Sequence, residues 1–238
     1  MKRVINNISN AVTSLNLLCG TLAIVASFSC FDETLWGLQG YQLAFLLIAI
    51  GTVADFLDGF TARLLHAVSA LGKELDSLSD LVTFGLAPAM VIYNMMHAAN
   101  PGSHWCLMAM ILPVFGALRL ARFNVDTEQA TTFTGLPIPA NAIFWIGFAA
   151  WYATHHTISE WVVVVCIVAL SLLMVCNLRM FSLKLHNFNV RENWAQFLLV
   201  VGAVACVALM KLPGLAVTIA LYVLLAVCKN ICAPGDTH

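Results

Sequence analysis

Four aspartates stand in two close pairs in this chain. Asp55 and Asp58 are three residues apart, and Asp76 and Asp80 are four residues apart. Residues at these separations share one face of an α-helix, so each pair points its carboxylates in one direction. Carboxylate oxygens are hard ligands that suit Mg²⁺ or Mn²⁺ rather than zinc. A hairpin of two such helices would form a divalent-metal site of the kind that carries out phosphoryl chemistry.

The composition of the chain makes these charges costly. Of its 238 residues, 61% are apolar and only 10% are charged, whereas soluble domains carry about 25% charged residues. A charge at the centre of a bilayer costs about 2.5–3.5 kcal/mol, and clustered carboxylates also repel one another unless a cation lies between them. The alternative is four interfacial aspartates that are solvated separately, but the paired spacing favours a metal site.

Small and polar residues surround the aspartate pairs. They are Gly59, Ala62, Arg63, Ser69 and Gly72. The two glycines and the alanine leave room for a bulky group against the helices, although a glycine alone is equally consistent with a close helix contact in a membrane. The arginine can hold a phosphate or pair with an aspartate, and the serine offers a hydroxyl donor. The segment predicts an enzyme that acts on a phosphate ester at the membrane face.

The elements that must position this site are membrane-spanning helices. A span needs about 20 apolar residues, and the chain contains about eight such stretches. They are centred near residues 20, 48, 88, 112, 145, 168, 201 and 221. The fold predicted is an all-α, polytopic membrane bundle that forms a single domain over residues 1–238, with no room for a soluble domain. No removable signal peptide is expected at the start, and nothing indicates a nucleic-acid partner.

The basic residues predict the orientation of the bundle. Ten of the eleven lysines and arginines fall on one side of the predicted spans, and Lys211 alone falls on the other. Because basic residues are enriched in cytoplasmic loops, that side is predicted to be cytoplasmic. Both termini and the aspartate pairs would lie there too. The eight cysteines show no metal-binding spacing and are interpreted as small apolar residues.

The segment Asp55–Asp80 has the pattern D-x2-D-G-x2-A-R-x8-G-x3-D-x3-D, which resembles the signature of the CDP-alcohol phosphotransferase family at every fixed position. The resemblance implies a six-helix catalytic core with two divalent cations, and usually a homodimer. It implies that Asp55 and Asp76 bridge both ions, and that Asp58 completes one ion's ligands and Asp80 the other's. It also implies that Asp80 is the base that takes the proton of the acceptor alcohol.

The same resemblance implies a set of residues that contact the CDP-linked donor. The N-terminal stretch NAVTSLNLLCG is similar to the first helix of family members, where an asparagine and a threonine approach the nucleotide. The implied donor-binding residues are Asn10, Thr13, Gly59, Ala62, Arg63, Ser69 and Gly72.

The flanking sequence is similar to the phosphatidylserine synthase branch of the family. The similar stretches are Glu74–Pro88, Ala117–Val125 and Phe133–Asn141. This branch implies transfer of a phosphatidyl group from CDP-diacylglycerol to L-serine in a bacterial or archaeal cell membrane. The resemblance covers about residues 1–190, and the spans in 191–238 are matched by hydropathy alone.

The acceptor site is the least determined feature of the sequence. Arg119, Arg122 and Asn124 end the fourth predicted span and could bind the carboxylate of serine or a lipid phosphate. The arginines could equally be anchors that extend to lipid headgroups. Glycerol 3-phosphate and an inositol compound remain alternative acceptors. A transporter is a further alternative, but it would spread its carboxylates through the membrane depth rather than at one end.

Overall fold

Helices make up almost all of the chain that the computed structural model describes, namely residues 2–64, 70–125, 133–155, 159–181 and 193–232. For residues 2–8, 62–64, 133 and 232 only the backbone is described. The helices are α1 (Lys2–Ser27), α2 (Gly40–Leu64), α3 (Ala70–Asp80), α4 (Ala87–Ala99), α5 (Ile111–Val125), α6 (Ile138–Thr154), α7 (Glu160–Val175), α8 (Trp194–Met210) and α9 (Gly214–Cys232). Short 3-10 turns cover Leu35–Gly37 and Trp105–Met110.

The predicted spans correspond to these helices. Within the described residues, five stretches are long and apolar enough to cross a membrane: Ser9–Ser27, Gly40–Thr61, Ala70–Ala99, Trp105–Val125 and Gly214–Ile231. Helices α7 and α8 are shorter apolar helices, and α6 has 17 residues that are mostly buried. Each of the eight predicted centres falls in one of these helical stretches. The all-α membrane bundle predicted from hydropathy is therefore confirmed.

Helix α1 lies beside the two helices that carry the aspartates. It packs along α2 and also contacts α3 and α4. Helix α5 packs against α7, and α9 contacts both α6 and α8. Large apolar side chains such as Ile48, Phe84 and Trp145 fill the space between helices and are almost fully buried. The two helices that carry the aspartates, α2 and α3, are thus each packed against α1.

A π-helical segment, Leu81–Leu86, joins α3 to α4 in one continuous helical run. It begins directly after Asp80, and its central residues Thr83, Phe84 and Gly85 are buried. Wide π-helical turns of this kind often occur at functional sites. The segment approaches α1 so closely that a Cβ added at Gly20 would lie 2.8 Å from the Thr83 Cα and closer still to its hydroxyl. Glycine at position 20 is therefore needed for this contact.

A small antiparallel β-bridge joins the segment before α6 to the segment after α7. Strand β1 (Phe133–Thr134) pairs with β2 (Arg179–Met180). Gly135 follows β1 with a φ of +74°, a conformation that favours glycine. Its N–H donates to the Leu178 carbonyl at 2.9 Å. The bridge fixes the loop of residues 135–137, which enters α6 at Ile138.

Contacts also show which basic residues share one end of the bundle. Lys73 of α3 donates to the Asn124 carbonyl, and Asn230 of α9 donates to the Arg179 carbonyl. The turn that holds Lys211 lies at the opposite end of α9. Contacts at the opposite end of the bundle include the Trp105–Trp161 ring pair at 4.3 Å and the hydrogen bond from Ser103 to Glu160. The basic residues with these contacts lie at the end that carries the aspartates.

Candidate active site

Three of the four aspartates converge where α2 meets α3. Asp55 of α2 and Asp76 and Asp80 of α3 each offer one carboxylate oxygen, and these three oxygens lie within 4.8 Å of one another. The Asp55 carboxyl group is within hydrogen-bonding reach of both partners. The paired spacing in each helix explains this arrangement, since each pair occupies one helix face and the two faces oppose each other.

Asp58 lies at the edge of this cluster and is more deeply buried, with only 4% of its surface exposed. Its charge interacts with those of Asp55 and Asp76. The Thr13 hydroxyl of α1, which donates to the Ser9 carbonyl at 3.1 Å, also lies near the Asp58 carboxylate. The Asp58 Oδ2 atom is buried and accepts no hydrogen bond from any described residue.

These features fit a site for divalent cations. Carboxylates this close together repel one another unless a proton or a cation lies between them. A buried carboxylate oxygen without a donor is costly as well, and Asp58 Oδ2 is such an atom. The atoms that converge are all carboxylate oxygens, which are the ligands that Mg²⁺ and Mn²⁺ prefer. Asp55, Asp76 and Asp80 could therefore bind a metal, and the charge of Asp58 interacts with those of Asp55 and Asp76.

Helix α1 contributes an amide that the sequence analysis did not single out. Asn16 is fully buried, and its Nδ2 donates to Asp80 Oδ1 at 3.5 Å. Asn16 follows Thr13 by three residues, so both side chains lie on the face of α1 that meets the carboxylates. The spacing of these two polar residues in an apolar helix was the available signal. Periodicity within α1 alone could not identify Asp80 as the partner.

Arg119 of α5 is a basic side chain whose charge interacts with that of Asp80. Its side chain is partly buried, and its buried Nε atom has no hydrogen-bond acceptor among the described residues. Tyr222 of α9 also interacts electrostatically with Arg119, and the Tyr222 hydroxyl donates to the Phe181 carbonyl at 3.0 Å. A partly buried guanidinium with an unused donor beside the carboxylate cluster is suited to binding an anionic group.

The other two predicted acceptor-binding residues make bonds within the protein. Arg122 donates to the Val175 carbonyl at 3.1 Å and to Asn177 Oδ1 at 2.8 Å, so it caps the C-terminal end of α7. Asn124 Nδ2 donates to the Ser77 hydroxyl of α3 at 2.8 Å. These contacts fasten the end of α5 to its neighbours. An acceptor-binding role for this pair stays a prediction, and its geometry favours a structural one.

The predicted donor-binding residues lie around the same helix ends. Asn10 and Thr13 are on one face of α1, and Thr13 is buried. Gly59 follows Asp58 on α2 and Gly72 precedes Asp76 on α3. The backbone of Ala62 and Arg63 lies in the last turn of α2, whereas their side chains and all of Ser69 lie outside the described residues.

A sequence model of the family described as CDP-alcohol phosphatidyltransferase matches residues 6–173. This chain belongs to that family. The match includes all four aspartates and runs from α1 almost to the end of α7. Helices α8 and α9 lie beyond it, although α9 contributes Tyr222 beside Arg119.

Curated relatives of this family member share a name. A CDP-diacylglycerol–serine O-phosphatidyltransferase of Mycobacterium leprae is 31% identical over 218 residues, which cover 87% of this chain and 71% of the relative. A protein of the same name from Methanocaldococcus jannaschii is 42% identical over 147 residues, 61% of this chain and 62% of the relative. Another from Bacillus subtilis is 40% identical over 134 residues, 56% of this chain and 70% of the relative.

Proposed function

We propose that this protein transfers the phosphatidyl group of CDP-diacylglycerol to the hydroxyl of L-serine and releases CMP. The observation that carries the proposal is the convergence of Asp55, Asp76 and Asp80 at 4.8 Å or less, within a match to the CDP-alcohol phosphatidyltransferase family. The shared name of the relatives supports serine as the acceptor.

The proposed cofactor is a pair of Mg²⁺ or Mn²⁺ ions held by the four aspartates. Asp55, Asp76 and Asp80 would hold the ions with their convergent oxygens, and Asp58 would add a further carboxylate. When bound, the cations would neutralise charge on the diphosphate and on the departing CMP. Asp58 Oδ2, buried and without a donor in the described part of the chain, supports a ligand role for that residue.

In the proposed reaction, Asp80 takes the proton of the serine hydroxyl as its oxygen attacks the phosphorus that carries diacylglycerol. The bond between this phosphorus and the CMP oxygen breaks, and CMP leaves with the electron pair. A single displacement of this kind inverts the configuration at phosphorus. Inversion on a chirally labelled donor is therefore expected, whereas retention would require a covalent intermediate and would contradict the proposal.

The nucleotide part of the donor would lie along the ends of α1, α2 and α3. Asn10, Thr13 and the glycines 59 and 72 are the proposed contacts, together with Ala62, Arg63 and Ser69. The packing of α1 against both other helices supports a nucleotide site at this junction. The acyl chains would extend sideways into the membrane lipids, because the helices that carry the site have apolar faces exposed around it, such as Phe56 and Leu57.

Arg119 is the proposed contact for the carboxylate of serine. Its guanidinium interacts with the charge of Asp80, and its buried Nε donor has no acceptor among the described residues. Glycerol 3-phosphate would present a phosphate to the same arginine and is the alternative acceptor, whereas inositol compounds would use more polar contacts. A transporter is not favoured, because the carboxylates meet at one end of the bundle.

The proposed membrane orientation places the aspartate cluster and both termini in the cytoplasm. The positive-inside rule supports it, because the sequence predicts ten of the eleven basic residues on the same side of the spans as the aspartates. A cell membrane of a bacterium or an archaeon is proposed from the organisms of the relatives. A homodimer is also proposed, on the family resemblance alone.

The experiment that tests this function measures CMP release by the purified protein. CMP is expected only when CDP-diacylglycerol, serine and Mg²⁺ or Mn²⁺ are all present. An Asp55→Asn variant serves as the control for contaminating activity and is expected to release none. Serine-independent CMP release at the full rate would contradict the transfer reaction, and turnover without a divalent cation would contradict the proposed cofactor.

A further inference from the structure

The segment around Asp80 is attached to α1 at three points. The Ser79 hydroxyl shares its hydrogen between the Leu75 carbonyl of α3 at 2.8 Å and the Thr13 carbonyl of α1 at 3.2 Å. The Thr83 hydroxyl donates to the Asn16 carbonyl at 3.0 Å. Between these two bonds, the Asn16 side chain donates to Asp80 Oδ1. The residues before and after Asp80 therefore fix its backbone against α1, and Asn16 reaches the carboxylate itself.

The Asn16 side chain is confined on its other side. A Cβ added at Gly51 of α2 would lie 2.9 Å from Asn16 Oδ1 and 2.8 Å from the Thr83 Cγ2. Asn16 is fully buried and its Oδ1 accepts no hydrogen bond from the described residues. Rotating the amide would turn this oxygen toward the Asp80 carboxylate, where two acceptors would repel each other. The orientation with Nδ2 toward Asp80 is thus the one that the site favours.

We infer that Asn16 is a positioning residue that holds Asp80 Oδ1, so that the other carboxylate oxygen is directed toward the serine hydroxyl. The inference rests on the proposed function, since it concerns the base of that reaction. The 3.5 Å separation is at the limit of a hydrogen bond, and such contacts often shorten once the substrates are bound. A buried asparagine in an apolar helix is costly unless its amide is used.

The test replaces Asn16 with leucine, which has the same number of side-chain heavy atoms and the same branching but no donor. Partners of metal-binding carboxylates typically contribute about 10- to 100-fold to activity or metal affinity. Asn16→Leu is therefore expected to lower kcat about 10- to 100-fold while KM for CDP-diacylglycerol changes by less than about threefold. Glutamine at position 16 keeps the donor but fits the space less well.

Comparing kcat of the leucine and glutamine variants distinguishes a positioning role of Asn16 from a packing role. If Asn16 only fills space, the leucine variant will have the higher kcat. The longer glutamine side chain would have to displace Gly51 of α2 or the Thr83 side chain. If Asn16 positions Asp80, the glutamine variant will have the higher kcat. Binding of Mn²⁺ to the purified protein, followed by electron paramagnetic resonance, gives a second readout, and the leucine variant is expected to bind it at least about tenfold more weakly.

The matched control is Asn94, whose Nδ2 donates to the Ser27 hydroxyl at 2.9 Å and so joins α4 to the opposite end of α1. Asn94→Leu removes a similar bond far from the carboxylates and is expected to leave kcat and Mn²⁺ binding unchanged. A wild-type kcat in folded Asn16→Leu protein would overturn the inference, as would equal kcat losses in Asn16→Leu and Asn94→Leu. An inactive wild-type protein would instead contradict the proposed function.

Discussion

Asp80 meets several different groups within a small space. It lies with Asp55 and Asp76 in the carboxylate cluster, accepts a hydrogen bond from Asn16 and interacts with the charge of Arg119. A group that binds a cation and also accepts a proton must have its two oxygens in different surroundings. The Asp80 carboxylate has such unequal surroundings, because its neighbours Asn16, Asp55 and Arg119 come from three different helices, α1, α2 and α5.

Replacing Asp80 with asparagine is expected to remove the base with little change in the shape of the site. Because general-base catalysis typically contributes about 10²- to 10⁴-fold, kcat for CMP release should fall by that factor. Binding of CDP-diacylglycerol, measured by its dissociation constant, should remain within about tenfold of the wild type because most donor contacts lie elsewhere. Near wild-type CMP release by this variant would show that Asp80 is not the base.

Arg119 and Arg122 provide a matched pair on one helix. Arg119→Gln is expected to raise KM for serine about 10- to 100-fold, since a hydrogen bond to a charged group contributes about 1.5–3 kcal/mol. Arg122→Gln removes the cap of α7 and is expected to lower thermal stability with little change in KM for serine. Equal effects of both substitutions on KM would remove the basis for assigning the carboxylate to Arg119.

Close contact between α1 and the π-helical segment depends on small residues. The Thr83 side chain occupies the space that a Cβ at Gly20 would need, and its hydroxyl bonds to the α1 backbone. The π-helical segment therefore leaves no room for a larger side chain between itself and α1. Any displacement of this segment would be transmitted directly to Asp80, which precedes it.

Gly20→Ala is expected to destabilise the protein by about 1–3 kcal/mol, the usual effect of overpacking, and to lower kcat as well. Thermal unfolding in detergent measures the first effect. Gly102→Ala is the control, because the nearest atom to its added Cβ is Asn100 Oδ1 at an ordinary 3.8 Å. If both alanine variants unfold at the wild-type temperature, the contact between α1 and the π-helical segment is not tight.

Sequence patterns predicted the helices well because each pattern lies within one helix. Hydropathy located eight apolar helical stretches, of which five in the described residues are long enough to cross a membrane. Helical spacing predicted that Asp55 would meet Asp76 and Asp80. The bond from Asn16 to Asp80 and the use of Arg122 as a cap on α7 could not be predicted in this way. Both depend on how different helices pack, and the π-helical segment after Asp80 has no signature in the spacing of its apolar residues.

The molecule as a whole is expected to be stabilised by divalent cations. A ligand at 100 times its dissociation constant raises the free energy of unfolding by about 2.7 kcal/mol. Mg²⁺ or Mn²⁺ at that ratio should therefore raise the unfolding temperature, and EDTA should reverse the shift and abolish activity. Asp76→Asn should reduce the cation's effect. An identical shift in that variant would indicate that the cation binds elsewhere.

The proposed orientation can be tested with cysteine labelling in intact cells. In a background without native cysteines, Lys211→Cys is expected to react with a membrane-impermeant maleimide added outside. Lys229→Cys, at the other end of α9, should react only after the cells are opened. The reverse pattern would place the aspartate cluster outside the cytoplasm.

Identification of the lipid product tests the central claim most directly. Purified protein is incubated with CDP-diacylglycerol, Mg²⁺ or Mn²⁺, and an equimolar mixture of serine, glycerol 3-phosphate and inositol, and the lipids are analysed by mass spectrometry. Phosphatidylserine is the predicted main product. Phosphatidylglycerophosphate as the main product would contradict serine as the acceptor.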